Sequence, residues 1–494
     1  MKTKTRVILI GVLLAVIIIP ASIFGIKQYQ PQPKDNDFTG IKLPSAPAKT
    51  PFKSVNTDVL YDEKKWTSNF THDGAIIKAD GWYYVFSTDY MVGAPPTPGI
   101  QIRKSKDLIH WQFVGRVFDQ VSEEAWDWTH GTTFWAPNVI QMNGKYYLYY
   151  SVSEVGKRNS YIGLATSDKI EGPWKDEGAV FKSNEGDGNT VNAIDPDITI
   201  DKNGQPWMVY GSYFGGIFIT KVDKITGKLV NPNDQGTLLA QRKDMNAGIE
   251  GPEIIYNKKT GYYYLTVSYD WLEDTYNVRV ARSKNITGPF LDYNHKDMID
   301  LSDDSFNTGN KIVAPYSFGK DPGWLGTGHN GLLQDGENYY LIHNARAGED
   351  KYWSHLHVRK MVWTDDGWPV VSPERYAGET EQKVIESNLI GEWQQIVLNR
   401  FDDAMEGSTK LQLLANGEIK NAKGKSHWKL TGKNTLKLTI YDPGVAPKDY
   451  WDFTVKVIPA WDWENWRGTL VFTGMNQEGT VIWGKKIINN STNY

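Results

Sequence analysis

Three acidic residues draw notice through the company they keep. Asp73 follows His72 and precedes Gly74. Asp195 lies in Ile194-Asp195-Pro196, and Glu250 lies in Glu250-Gly251-Pro252. Each stands just before an apolar run rich in strand-forming residues. Carboxylates brought close together raise one another's pKa, a means of keeping one of them protonated near neutral pH for acid–base work. A lone Asp or Glu at a strand entrance is ordinarily a solvated turn or cap, and the chain has 58 acidic residues. The chemistry therefore depends on a repeated element that carries the three to one place.

Such an element recurs five times. A polar stretch leads into an apolar strand, a glycine turn and an aromatic strand. The first copy is His72–Ile77, Gly81 and Trp82–Ser87; the second is Trp135–Ile140, Gly144 and Tyr146–Ser151. The third is Ile194–Ile200, Gly204 and Trp207–Tyr210; the fourth is Glu250–Ile255, Gly261 and Tyr262–Ser268. The fifth is His329–Leu333, Gly336 and Tyr339–Ile342. Each reads as a β-hairpin, and the copies begin 55–79 residues apart. Further strand signals lie between them, and helical periodicity is nearly absent. Hairpins recurring at this interval predict an all-β, five-bladed β-propeller over residues 56–385. The innermost strand of each blade lines a central channel, so equivalent positions converge on the axis. Aligning Pro137, Pro196 and Pro252 places Asp73 and Asp195 in one column and Glu250 one position earlier. A strand's side chains alternate faces, so convergence then needs a bulge at the blade entrance. Asp197 and Glu253 lie inside their strands and read as blade packing or rim.

The rest of the chain sets the context. Its 494 residues are long enough for two domains, and 54 Lys+Arg against 58 Asp+Glu give a net charge of −4. That balance argues against a nucleic-acid partner. With no cysteine there is no disulfide framework, thiolate metal site or cysteine nucleophile. The 20 Trp, 27 Tyr and 17 Phe suit a β-rich core and sugar-binding surfaces. Lys2, Lys4 and Arg6 precede an apolar run from Val7 to Ile19, so residues 1–26 read as a signal peptide or a retained membrane anchor. Either way the remaining chain is expected outside the cell, secreted or anchored at its surface, with membrane contact only through that anchor. Five prolines among polar residues make 27–55 a linker by composition. Residues 386–494 carry alternating strand runs and read as a small antiparallel β-barrel domain. Its Trp461, Trp463 and Trp466 are either a polysaccharide platform or core and interdomain packing.

Several motifs in fixed order resemble glycoside hydrolase family 43, within its endo-α-1,5-L-arabinanase group. They are His72-Asp73-Gly74, Trp135-Ala136-Pro137, Asn192-Ala193-Ile194-Asp195-Pro196 and Gly211-Ser212-Tyr213-Phe214-Gly215-Gly216. Ile249-Glu250-Gly251-Pro252 and Gly326-Thr327-Gly328-His329-Asn330 follow, and Asp366-Gly367-Trp368-Pro369 closes the series. The resemblance spans roughly residues 60–380, and the barrel resembles the domain attached to one extracellular group of that family. It implies an inverting hydrolase of arabinan or arabino-oligosaccharides. Asp73 is then the general base, Glu250 the general acid and Asp195 the carboxylate that orients the acid and keeps its pKa high. Inverting enzymes hold base and acid about 6.5–9.5 Å apart, leaving room for water. The resemblance further implies a calcium ion (Ca2+) on the propeller axis faced by His329, although calcium prefers several oxygen ligands. Asn192 and Ser212 fall in arabinose-contacting segments, joined by Gly156 through its backbone and by Trp135 as a stacking or packing ring. Two alternatives stay open: an exo-acting β-xylosidase or α-L-arabinofuranosidase of the same family, and a carbohydrate-binding propeller without catalysis.

Overall fold

The computed structural model describes residues 38–488, apart from 244–247, 303–307, 402, 421–423 and 446–447. The export segment at 1–26 lies outside the described residues. Regular structure is almost entirely antiparallel β. Blade 1 comprises Ala75–Ala79, Trp82–Ser87, Gln101–Ser105 and Trp111–Arg116, hydrogen-bonded in that order. Blade 2 comprises Trp135–Met142, Lys145–Ser153, Ser160–Ser167 and Lys175–Ser183. Blade 3 comprises Asp197–Ile200, Pro206–Tyr210, Ile217–Lys221 and Thr237–Ala240. Blade 4 comprises Ile249–Asn257, Tyr262–Tyr269, Asn277–Ser283 and Asn310–Val313. Blade 5 comprises Trp324–Asp335, Asn338–Ala347, Asp350–Trp363 and Pro369–Val371. The first strand of each blade touches the first strands of its two neighbours, and the ring closes between blades 5 and 1. This is the five-bladed propeller that the repeats predict.

The blades form for local reasons. The hairpin of blade 1 turns on Asp80-Gly81 and that of blade 2 on Asn143-Gly144. Both pairs are left-handed, with φ of 49° and 74° and of 51° and 77°. Two consecutive left-handed residues make the turn whose twist matches paired strands, and Asp-Gly and Asn-Gly adopt it readily. Most of the aromatic stock then goes into packing between blades. Tyr84, Phe86, Leu148 and Tyr150 form one cluster between blades 1 and 2, and Tyr149, Met208 and Tyr210 another between blades 2 and 3.

The C-terminal sheet has eight antiparallel strands drawn from residues 391–486. Its edge strands meet through a bridge between Glu418 and His427, which closes the barrel. Barrel and propeller are joined closely. Glu406–Gly407 adds in parallel to Tyr316–Ser317, which in turn pairs with the first strand of blade 5. One continuous core holds Ile312, Tyr316 and Val371 from the propeller together with Ile396, Val471 and Trp483 from the barrel. At the same junction Lys485, 1% exposed along its side chain, pairs with Glu374 and Asp462 at 2.7 and 3.0 Å.

The segment before the propeller differs from its composition. Of the linker expected at 27–55, residues 38–55 are described, and they are packed rather than free. Phe38 is buried in the barrel core. Phe52 lies against Trp324 and Trp463. His110 Nε2 donates to Pro47 O at 2.6 Å, and His355 Nε2 to Ser54 O at 2.7 Å. The prolines keep the strand extended, while a few apolar anchors between them supply enough burial to hold it down.

Trp483 is fully buried at the junction, edge-on to Tyr316 at 5.4 Å. Trp483→Ala is expected to cost about 3–5 kcal/mol, read as a lowered urea midpoint, with propeller and barrel losing structure together.

Candidate active site

The five inner strands share one backbone irregularity at their entrances. Asp73, Ala136, Asp195, Gly251 and His329 are all left-handed, with φ of 51°, 32°, 56°, 55° and 49°. The pairing register slips between Trp135 and Asn138, between Glu250 and Glu253, and between Gly328 and Gly331. Each slip is a bulge, which bends the strand and re-aims one side chain. Asp73, Asp195 and His329 therefore form a single column. Blades 2 and 4 place the small residues Ala136 and Gly251 in that column, and there the preceding residues, Trp135 and Glu250, line the mouth instead. This is the offset of Glu250 by one position together with the bulge that its convergence requires.

The mouth is a cavity of about 700 Å³. Asp73, Asp195, Glu250, His329, Asn192, Ser212, Gly156 and Trp135 all line it. Asp73 is gripped on both oxygens. His72 Nδ1 and His329 Nδ1 lie 2.6 and 3.0 Å from Oδ1, and Thr88 Oγ1 donates to Oδ2 at 2.7 Å. Behind His72 stands Arg346, whose guanidinium lies 2.9 Å from His72 Nε2. Arginine only donates, so Nε2 is the acceptor, and the proton of His72 sits on Nδ1, facing Asp73. Arg346 is itself buried and held by the carbonyls of Leu272 and Lys351 at 3.0 Å each.

The three carboxyls are charged differently. Burial opposes ionisation of Asp73, but His72 and His329 outweigh it and hold its pKa well below the ordinary carboxylate range. Burial raises the pKa of Glu250 and of Asp195 despite the opposing field of His329, and neighbouring carboxylates push both the same way. For His329 burial favours the neutral ring, yet Asp73, Asp195 and Glu250 lift its pKa to about 9. Glu250 Oε2 accepts a hydrogen bond from Ser212 Oγ at 2.8 Å, and the Tyr276 hydroxyl likewise favours its ionised form. Asp195 Oδ2 accepts from Gly251 N at 3.0 Å, and so fixes the backbone beside Glu250.

The remaining residues are softer contacts. Asn192 Oδ1 is taken by Ser160 at 2.6 Å, and Trp135 Nε1 donates to Thr133 at 3.1 Å. A side chain on Gly156 would meet nothing within 4 Å, so this glycine serves its left-handed turn, φ 77°, rather than a close approach. Asp197 and Glu253 keep the packing role expected of them: Asp197 accepts from Asn138 Nδ2 at 2.9 Å and from Ile254 N at 3.1 Å, joining blades 2, 3 and 4, and Glu253 accepts from Leu332 N in blade 5. With Asp195, His329 and Asn330 they line a cavity of about 10 Å³ on the axis beneath the mouth. Burial raises the pKa of both, to about 7 for Asp197 and well above the usual range for Glu253.

Known proteins share this architecture. Residues 66–369 match the model of Glycosyl hydrolases family 43, and residues 373–484 match its C-terminal lipocalin-like domain. The chain belongs to glycosyl hydrolase family 43. The extracellular endo-α-(1→5)-L-arabinanase 2 of Bacillus subtilis is 33% identical over 456 residues, covering 84% of this chain and 92% of that protein. The extracellular endo-α-(1→5)-L-arabinanase of Thermotoga petrophila is 32% identical over 480 residues, covering 87% and 96%. The crystal structure of endo-1,5-α-L-arabinanase from Thermotoga petrophila RKU-1 superposes with a TM-score of 0.76 at 30% identity, covering 85% of this chain and 99% of that one.

Within this family 43 chain, sequence reasoning passed over Thr88, Tyr90, Trp271 and Arg346, which also line the mouth. Thr88 directly follows the second strand of blade 1, opposite Asp73, so its position carried a signal. Arg346 carried none beyond being a cation inside an apolar strand. Arg346→Met is expected to lower kcat about tenfold to a hundredfold, the range for a lost charge-assisted bond, with Arg346→Lys recovering part. Nitrogen-15 spectra of the unaltered chain should place the His72 proton on Nδ1, with Nε2 as an acceptor.

Proposed function

We propose that the chain hydrolyses internal α-1,5-L-arabinofuranosidic bonds of arabinan with inversion at the anomeric carbon. One observation carries the reading. Three carboxyl groups from blades 1, 3 and 4 line one cavity in opposed electrostatic settings, Asp73 ionised and Glu250 inclined to keep its proton. Asp73 takes a proton from water as the water oxygen bonds to the anomeric carbon. Glu250 gives its proton to the departing sugar oxygen as the glycosidic bond breaks. Solvent then exchanges the two protons. Asp195 keeps Glu250 in place through Gly251 and adds negative charge that resists its ionisation. The relatives matched across both domains are named endo-arabinanases and extracellular, which supports internal cleavage and an exported enzyme.

The axial cavity fits a hard cation. It is lined by Asn138, Asp195, Asp197, Glu253, Asn330 and His329, and Asn330 Oδ1 is buried there without a hydrogen-bond partner. We propose calcium there, held by oxygens of those residues and by His329, whose ring would first have to give up a proton. Such an ion supplies a fixed positive charge under the carboxylates.

Digestion of linear arabinan is expected to release oligosaccharides whose new reducing ends are first seen by proton NMR as the inverted anomer; retention, or arabinose alone, would overturn the reading. Asp73→Asn and Glu250→Gln should each abolish turnover. The rate should fall on the alkaline side as Glu250 loses its proton. Ser212→Ala removes a bond that favours ionised Glu250, so it should move that limb to higher pH by up to about one unit. For the metal, chelator should lower the unfolding temperature and calcium restore it, by about 2.7 kcal/mol of stability at one hundred times Kd. An unchanged melting curve together with no calcium by elemental analysis would dismiss it.

A further inference from the structure

A second cavity, of about 330 Å³, lies where residues 47–52, blades 1 and 5 and the barrel meet. It shares no lining residue with the catalytic mouth. Phe52, Trp111, Tyr376, Trp463 and Trp466 form its aromatic walls, with Arg375 among them. Arg375 is 9% exposed. Its guanidinium carbon lies 4.0 Å from the ring centre of Trp463 and 4.2 Å from that of Phe52. Among the described residues its side chain makes no hydrogen bond and no ion pair.

That is an unusual state for a buried arginine. Such a side chain ordinarily meets a carboxylate or several carbonyls, whereas the nitrogens of Arg375 open onto the cavity instead. Aromatic contacts cover the faces of the guanidinium and leave its N–H edge unserved. The nearest acids are engaged elsewhere: Lys485 pairs with Glu374 at 2.7 Å, Asp462 at 3.0 Å and Glu464 at 2.5 Å. His110, the other basic group on the wall, is held by Asp107 and by Pro47 O at 2.6 Å each. Trp463 spends its own Nε1 on the backbone carbonyl of Arg375, which fixes the pair. The cavity therefore offers a free planar donor edge beside half-buried aromatic faces. A planar carboxylate takes such an edge bidentately, and the apolar face of a sugar ring rests on such rings. The volume lies at the small end of ligand sites, enough for one or two sugar units.

We propose that this cavity is an accessory binding site for an acidic saccharide, a uronate whose carboxylate pairs with Arg375 while its ring lies against Trp463 and Tyr376. The site stands apart from the neutral-sugar chemistry of the mouth and does not depend on that reading. It would hold the enzyme on a uronate-bearing polymer while the mouth works on a neutral chain.

Calorimetric titration of the full chain with a galacturonate disaccharide, its methyl ester and arabinobiose tests it. The acid should bind. The ester should bind at least about tenfold more weakly, as should the acid to Arg375→Gln, since a charged bond is lost in both. Arabino-oligosaccharide hydrolysis by Arg375→Gln should match the unaltered chain. Equal binding of acid and ester overturns carboxylate recognition, and no binding of either overturns the site. The ester comparison uses the unaltered protein, so a folding defect in the variant cannot decide the outcome.

Discussion

The functional geometry rests on a backbone constraint repeated around the ring. At the point where each inner strand begins, one residue is forced into the left-handed region, a conformation that costs a non-glycine residue roughly 1–3 kcal/mol. Asp73, Ala136, Asp195 and His329 bear that cost, and only blade 4 uses glycine there. A strained position persists because the surrounding hairpins over-determine it. The return is placement: an ordinary strand would send alternate side chains to opposite faces, whereas the kink delivers one residue per blade to the shared mouth.

Placement alone does not divide the labour among the carboxyls. Asp73 sits against two imidazoles and a hydroxyl, and Arg346 holds one of those imidazoles in a single tautomer. Glu250 has the hydroxyls of Ser212 and Tyr276 beside it and, among the described residues, no cation in hydrogen-bond contact. The same burial that threatens to neutralise both groups is overcome at Asp73 and only partly offset at Glu250. His329 is the common element, since its charge is sustained by all three acids and in turn restrains the rise of Glu250 and Asp195.

Much of this was readable before any coordinates. Glycine turns between aromatic runs announced the hairpins, and their recurrence announced the ring. The three acids and His329 followed from repeat position, and even the need for a bulge at Glu250 came from aligning prolines. Other features had no local signal. Phe38 and Phe52 carried no signal in a proline-rich stretch, because their partners lie hundreds of residues away in the barrel and blade 5. Arg346 lies 274 residues from the histidine it orients. Asp197 and Glu253 were legible as blade packing, but pattern gives only their face and not that they also line a cavity on the axis. Trp461 and Trp466 proved to be interior, leaving Trp463 half-exposed at the domain junction.

The barrel belongs by sequence to a lipocalin-like type, a shape associated with an inner chamber. Here its inside is a solid stack of Trp393, Leu413, Leu438, Phe453, Phe472 and Ile482. Trp393 and Phe472 sit ring to ring at 5.1 Å. Among the described residues these side chains occupy the space that a guest would take. Whatever this module recognises must be met on its outer skin or along its seam with the neighbouring ring, so its evolutionary freedom lies in loops and edges rather than in a vault.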